Sequence, residues 1–305
     1  MNSHPRPAIQ LYSLNESSVS VPDLVRQAGR AGYEGVEFAG RFRQTNAAVV
    51  ADALDDADVE PVACHASLPV IEAAIRGENE LLEKCETVGI NRLVNPHTST
   101  ASFRSKASVE ALIAQYVDVA RKLASRDMRL VHHTSRHEFW PLIPNAMETA
   151  IGVTPVPDGI TTYLSRELTR LRRDGATGAR TGFQALVDGT DATNLQFEID
   201  VAEVTAGQLD PVEAISLVPD RLPMVHLRDT EPYGRLVTYK NAKTGAGAVD
   251  FEGAIEAATE AGVEWLVYED ETPQDTETKL SAGISFMDRM NGSSTIRRSK
   301  RVRDD

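Results

Sequence analysis

A chain of 305 residues with a hydrophobic fraction of 41% can bury a substantial core, and α/β barrels of this length fold as one domain. A formal net charge of -13, with acids spread along the whole chain, lacks the basic footprint that duplex DNA requires and argues against nucleic acid as a partner. Two cysteines, Cys64 and Cys85, are too few for a disulfide framework, no apolar run reaches membrane-spanning length, and MNSHPRPAIQLYS carries no leader pattern. These features set the expectation of a reduced, cytoplasmic protein with no membrane partner.

Apolar runs and helical stretches alternate along the chain. Strand 1 is AIQLYS (8–13), followed by a helix after Pro22 with Leu24, Val25, Ala28 and Ala31 on one face. Strand 2 is GVEFAG (35–40), a helix covers 47–57, and strand 3 is VEPVACH (59–65). A helix over roughly 71–88 leads to strand 4, NRLVNP (91–96). A longer helix near 108–125 leads to strand 5, MRLVHH (128–133). Strand 6 is LQFEID (195–200), strand 7 LPMVHL (222–227) and strand 8 WLVYED (265–270). Helices follow Pro211 and Phe251, and the last lies near 276–290.

Eight strands separated mostly by helices point to a closed parallel (β/α)8 TIM barrel over residues 1–293. An open doubly wound sheet would carry a glycine-rich turn after strand 1, and LYSLNESS has none. Residues 140–194 exceed an ordinary strand–helix–strand link. FQALVDG (183–189) supplies the expected helix, and about 140–182 forms an insertion between strands 5 and 6. Leaving from the C-terminal face, the insertion is expected either as a lid or as a surface excursion that contacts another copy in a homo-oligomer. The tail at 294–305 is polar, charged and expected to be disordered.

Barrels gather function at the C-terminal ends of their strands. Asp200, His226 and Glu269 close strands 6, 7 and 8, and Glu138 follows strand 5 in HHTSRHEF. Three carboxylates and an imidazole delivered by successive strand ends make a cage for a divalent cation. Each of them alone reads more often as a hydrogen-bonded barrel residue, and it is their succession on consecutive strands that favours a ligand. The same alternative applies to His65 at the end of strand 3, Glu37 in strand 2, His97 beyond strand 4, and the run His132, His133 and His137.

In these residues the chain resembles the xylose isomerase-like TIM barrel superfamily, in its sugar phosphate isomerase/epimerase branch. The resemblance runs from IQLYSL and AGYEGVEFAG through HHTSRHEF to FEIDVAEVTAGQLDPVEAISLVPDRLPMVHLRD and GAGAVDFEGAIEAATEAGVEWLVYED. It implies Glu138, Asp200, His226 and Glu269 as metal ligands. The chain departs from the pattern at His133-Thr134-Ser135, where relatives read His-Asn-His, at Arg228 for a lysine, and at Glu271 for an aspartate.

The activity so implied is metal-dependent isomerisation or epimerisation of a sugar or sugar phosphate. A proton leaves the carbon beside a carbonyl, and a cation stabilises the resulting enediolate. Glu138 and Glu269 are expected as the acid/base pair, approaching from different sides of the ring. His65, His133, Arg228 and Glu37 are expected to bind substrate. The donor set suits Mn²⁺ or Mg²⁺ first, then Zn²⁺ or Co²⁺. The rival readings are an inosose dehydratase-type lyase on the same barrel, a non-catalytic carbohydrate-binding barrel, and an abasic-site endonuclease, against which the charge and the small number of histidines argue.

Overall fold

The computed structural model describes residues 4–142, 180–233 and 238–304, with side chains described as far as residue 290. The strands are β1 (Arg6–Gln10), β2 (Gly35–Phe38), β3 (Glu60–His65), β4 (Arg92–Asn95), β5 (Arg129–His133), β6 (Gln196–Asp200), β7 (Met224–Leu227), β8 (Asp229–Tyr233), β9 (Thr238–Ala242) and β10 (Trp265–Tyr268). Eight of them close into a parallel barrel in the order β1-β10-β7-β6-β5-β4-β3-β2, so β10 is the eighth barrel strand. Helices α1 (Val21–Ala31), α2 (Ala47–Ala57), α3 (Leu68–Ile75), α4 (Leu81–Val88), α5 (Lys106–Ala124), α6 (Gly182–Asp188), α7 (Val201–Ala206), α8 (Pro211–Ser216), α9 (Phe251–Glu260) and α10 (Thr276–Asp304) lie between and after the strands. This is the (β/α)8 barrel expected from the alternation of elements.

The two-residue repeat of the strands sorts side chains into two cores. Ile9, Val36, Phe38, Leu130, Phe197, Ile199, Val225 and Leu266 face outward into the layer under the helices. Ala8, Val62, Val94, Val131, Met224, Trp265 and Val267 face inward and fill the barrel. The N-terminal end is plugged by Trp265. A Cβ on Gly35 would lie 2.6 Å from its ring, so only glycine fits there. The Arg6 guanidinium caps the indole at 3.8 Å.

Several boundaries differ from the sequence reading. Strand 1 stops at Gln10 and turns into a 3-10 segment, Leu11–Leu14. The helix expected over 71–88 is two, α3 and α4, divided by a turn in which Gly77 takes φ +75°. An antiparallel hairpin, β8 with β9, follows β7 directly, where no strand was expected. Its sequences, DTEPY and TYKNA, are polar and lack the apolar run by which a buried strand is read.

The hairpin returns to the barrel under control of Asp229. That buried carboxylate accepts backbone N–H bonds from Gly245 (2.9 Å) and Gly247 (2.8 Å). A Cβ on Gly247 would meet Asp229 Oδ1 at 2.3 Å, which explains the glycines of GAGAVDF.

Residues 143–179, the bulk of the expected lid, lie outside the described residues. The two ends of that segment meet, since Pro141 and Thr181 form an antiparallel bridge. The tail at 294–305 also lies beyond the described side chains. Among the described residues no helix is long and apolar enough to cross a membrane.

Candidate metal centre

The inward positions at the C-terminal end of the barrel are polar. Glu37, Glu198, Asp200 and His226 are each 0% exposed, and strand parity places them there. In β6, Phe197 and Ile199 face the helices, which turns Glu198 and Asp200 inward. In β7, Val225 and Leu227 face outward and Met224 and His226 inward. In β5, Val131 is inside and Leu130 outside, so of two adjacent histidines His133 faces the barrel and His132 faces the helices.

Two groups of potential ligands result, and they share His226. At the mouth, His133, Asp200, His226 and Glu269 each offer one donor atom, all within 4.8 Å of one another. Beneath them, Glu37, His65, Glu198 and His226 do the same. Of the four residues expected as ligands, the structure brings Asp200, His226 and Glu269 together, and His133 stands beside them.

Glu138 lies elsewhere. It is 0% exposed, accepts the Ser135 N–H at 3.0 Å, and sits 2.8 Å from His132 Nε2. His132 Nδ1 in turn lies 2.8 Å from the Tyr116 hydroxyl on α5. The reason is local. A 3-10 turn, Arg136–Phe139, begins immediately after β5, and Glu138 completes its capping box by folding back onto Ser135. Glu138 thus fixes the turn that follows His133, and it is absent from the lining of the cleft.

Asp200 and His226 are each fixed by hydrogen bonds or ion pairs. Asp200 caps α7, its Oδ1 accepting N–H bonds from Ala202 (2.8 Å) and Glu203 (3.0 Å), which leaves Oδ2 toward the mouth. Oδ2 lies 2.8 Å from Arg228 Nε and 3.7 Å from His133 Nε2. His226 turns Nδ1 toward Glu269 at 3.1 Å and Nε2 toward Glu37 (2.7 Å) and Glu198 (3.0 Å). A histidine whose outer nitrogen faces carboxylates has its tautomer fixed and presents the other nitrogen to a cation. Metal–nitrogen and metal–oxygen bonds of about 2.0–2.2 Å separate ligand atoms by up to roughly 4.4 Å, so the observed spacing closes on one ion with small movements.

Electrostatics mark the same place. Burial alone would depress His65, yet Glu37 and Glu198 hold it at about 10. His226 stands well above its ordinary value, the charges of Glu198 and Glu37 outweighing burial. Burial works to raise the Glu269 carboxyl, but His226 and then Arg228 hold it at about 2. Burial and the neighbouring Glu269 charge push Glu271 up. His133 is lowered by burial and stays a neutral donor.

Oε1 of Glu37 and of Glu198 lie 3.2 and 3.0 Å from ring nitrogens yet make no hydrogen bond of acceptable angle. Buried carboxylates crowded in this way destabilise a fold unless a cation or proton compensates.

The mouth opens into a cleft of about 840 Å³ lined by His133, Arg228, Glu269, Glu271, Glu203 and Trp140, among others. His65 lines it as well, whereas Glu37, expected to touch substrate, lies buried beneath His65. Arg228 is 7% exposed and bound to Asp200, Glu203 (2.6 Å) and Asn241 (2.8 Å). Sequence reading missed Glu198 and Glu203. The alternation in FEID carried the signal for the first, and the second follows from Asp200 by the three-residue spacing of a cap.

No protein-family model matches the chain, and no curated protein does. Solved structures match it over nearly the full length. A sugar phosphate isomerase/epimerase from Parabacteroides distasonis ATCC 8503 is 16% identical, covers 93% of this chain and 94% of its own, and superposes with a TM-score of 0.68. The IOLI protein with a binding zinc atom is 12% identical over 93% of this chain and 97% of its own, with a TM-score of 0.68. The probable 3-DHS dehydratase AsbF of petrobactin synthesis from Bacillus anthracis is 13% identical over 92% of this chain and 98% of its own, with a TM-score of 0.63. At these identities the likeness shows the fold alone, the closed (β/α)8 barrel.

Proposed function

We propose that the chain is a divalent-metal-dependent enzyme that moves a proton at the carbon beside a sugar carbonyl, an isomerase or epimerase of keto sugars. The convergence of His133, Asp200, His226 and Glu269 on one point at the barrel mouth carries this reading. The fold it shares with a sugar phosphate isomerase/epimerase and with the zinc-bound IOLI protein supports it. Two imidazoles with two carboxylates suit Zn²⁺, Mn²⁺ or Co²⁺ better than Mg²⁺, which prefers oxygen donors and retained water. A divalent cation held there would supply a Lewis acid for the carbonyl and adjacent hydroxyl oxygens of a ketose, acidifying the neighbouring C–H bond.

The chain's own residues do the rest. Glu269 faces the cleft as an anion and is the base that takes the proton. Glu271 lies on the same wall, anchored by a 2.5 Å hydrogen bond from Asn241 Nδ2, and is the second carboxylate that returns it. It replaces Glu138 in that role, because Glu138 does not reach the cleft. Arg228 keeps Asp200 and Glu203 in place and adds a positive charge that no pH removes. Glu37 and Glu198 hold His226 from behind, and His65 in turn pairs with both, as outer partners of a ligand do.

The test is exchange. The protein is stripped with EDTA, then offered a panel of keto sugars in D2O with and without added Zn²⁺ or Mn²⁺. Deuterium is expected at the carbon beside the carbonyl only with metal. Exchange untouched by complete metal removal would overturn the reading. Loss of water in the product would instead make the enzyme a dehydratase, the activity named for AsbF.

A further inference from the structure

Two of the three guanidinium groups that line the cleft are already engaged. Arg136 gives Nε and Nη2 to Glu203, both at 2.9 Å. Arg228 divides its donors among Asp200, Glu203 and Asn241. Helix α3 begins at the cleft edge beside Ser67, and its first amides are occupied as well. Leu68 N–H goes to Asn95 Oδ1 at 3.0 Å, and the Val70 and Ile71 N–H groups go to the Ser67 carbonyl at 2.8 and 3.1 Å. Pro69 has no N–H to give.

Arg43, exposed at the rim, is the remaining arginine of the lining, and no acidic partner is described for it. Three carboxylates, Glu203, Glu269 and Glu271, line the same space. Among the described residues a phosphate would find no free arginine fork deeper than Arg43 at the rim and no free helix terminus, and it would meet negative charge.

A different wall lacks this crowding. His97, His137 and Trp140 line the cleft as consecutive rings, each edge-on to the next, with centroids 6.2 Å and 6.3 Å apart. His137 is only 7% exposed, and its Nε2 has no hydrogen-bond partner among the described residues. A buried nitrogen that lacks a protein partner calls for one from water or from a ligand hydroxyl. The half-buried indole of Trp140 offers an apolar face beside it. The cleft, at about 840 Å³, stands near the upper end of small-molecule sites, and the metal group occupies one side of it.

We propose that the substrate is an uncharged saccharide of more than one ring, its second ring resting on the wall of His97, His137 and Trp140. The inference rests on the functional reading above, in which the first ring reacts at the metal group.

Fluorescence tests it. The chain has two tryptophans, and Trp265 is buried at the opposite end of the barrel, so quenching by sugars reports Trp140. Zn²⁺-loaded protein is titrated with neutral disaccharides (cellobiose, maltose, sucrose, trehalose), with their monosaccharides, and with glucose 6-phosphate and fructose 6-phosphate. At least one disaccharide is expected to bind tenfold or more tightly than its monosaccharides. His137→Phe and His97→Ala should each reduce that advantage threefold or more without changing monosaccharide binding. His97 is exposed, so His97→Ala keeps the test informative if His137→Phe fails to fold.

A sugar phosphate as the tightest ligand, disaccharides no tighter than monosaccharides, or an advantage untouched by both variants would overturn the proposal. Binding is read here without turnover, so its failure leaves the deuterium-exchange result standing, and the reverse holds too.

Discussion

The two ends of this barrel treat charge in opposite ways. At the N-terminal end Arg6 pairs with Glu60 at 2.6 Å and with Glu264 at 3.1 Å, and Arg92 pairs with Glu264 at 2.8 Å. The Arg6 and Glu60 side chains are 33% and 60% exposed, so water shares the work and each pair is worth about 0–1 kcal/mol. At the C-terminal end Glu37, Glu198 and His226 pack together at 0% exposure, with two carboxylate oxygens outside hydrogen-bond geometry. One level below, the same inward positions are filled by Val94, Val131 and Met224, so the barrel interior accepts hydrophobic residues. Retained buried charge therefore points to chemistry at one end, while exposed pairs at the other tidy the surface of a plugged barrel.

Variants sharpen the contrast. Asp200→Asn should lose most: metal affinity and deuterium exchange are expected to fall by about 100-fold or more, measured by calorimetric titration and by the exchange assay. Glu138→Gln should be smaller and of another kind. It disturbs the bond to His132, lowering stability by about 1–3 kcal/mol in urea while the metal is retained. An equal loss of metal in that variant would return Glu138 to the ligand set.

At the opposite end, Glu60→Gln should change stability by no more than about 1 kcal/mol and leave exchange unaltered. A large effect there would erase the distinction between the ends.

The smallest effect concerns acid. Burial holds His137 below its ordinary value, so the unfolded chain takes up that proton before the folded one does. The stability gained is present above the unfolded value of about 6.5 and is lost as pH falls from there through the folded value. His137→Phe should flatten that part of a melting-temperature profile between pH 7 and 5. An unchanged slope would show that other groups set it.

The architecture was open to reading because strand and helix periods alternate through nearly the whole chain. The hairpin escaped because polar strands outside the core carry no apolar repeat. Of the four residues that converge at the mouth, three were legible, each at the end of an apolar run. His133 and Glu138 were harder to separate. A motif word, HHTSRHEF, favours the glutamate, whereas two-residue parity from Val131 puts His133 inside and His132 outside. A capping turn then withdraws Glu138. Tertiary closure of a 3-10 turn is not written in spacing alone. Glu198 was passed over for a related reason, since a glutamate inside a barrel core is rare, and its place is apparent only once His65 and His226 face it.

The central claim is that His133, Asp200, His226 and Glu269 hold one cation. Elemental analysis after Zn²⁺ loading and gel filtration tests it on three proteins: the natural chain, His133→Ala and Glu138→Gln. Retention of the ion by the natural chain and by Glu138→Gln, with loss from His133→Ala, is the predicted result. Retention by His133→Ala with loss from Glu138→Gln would contradict it.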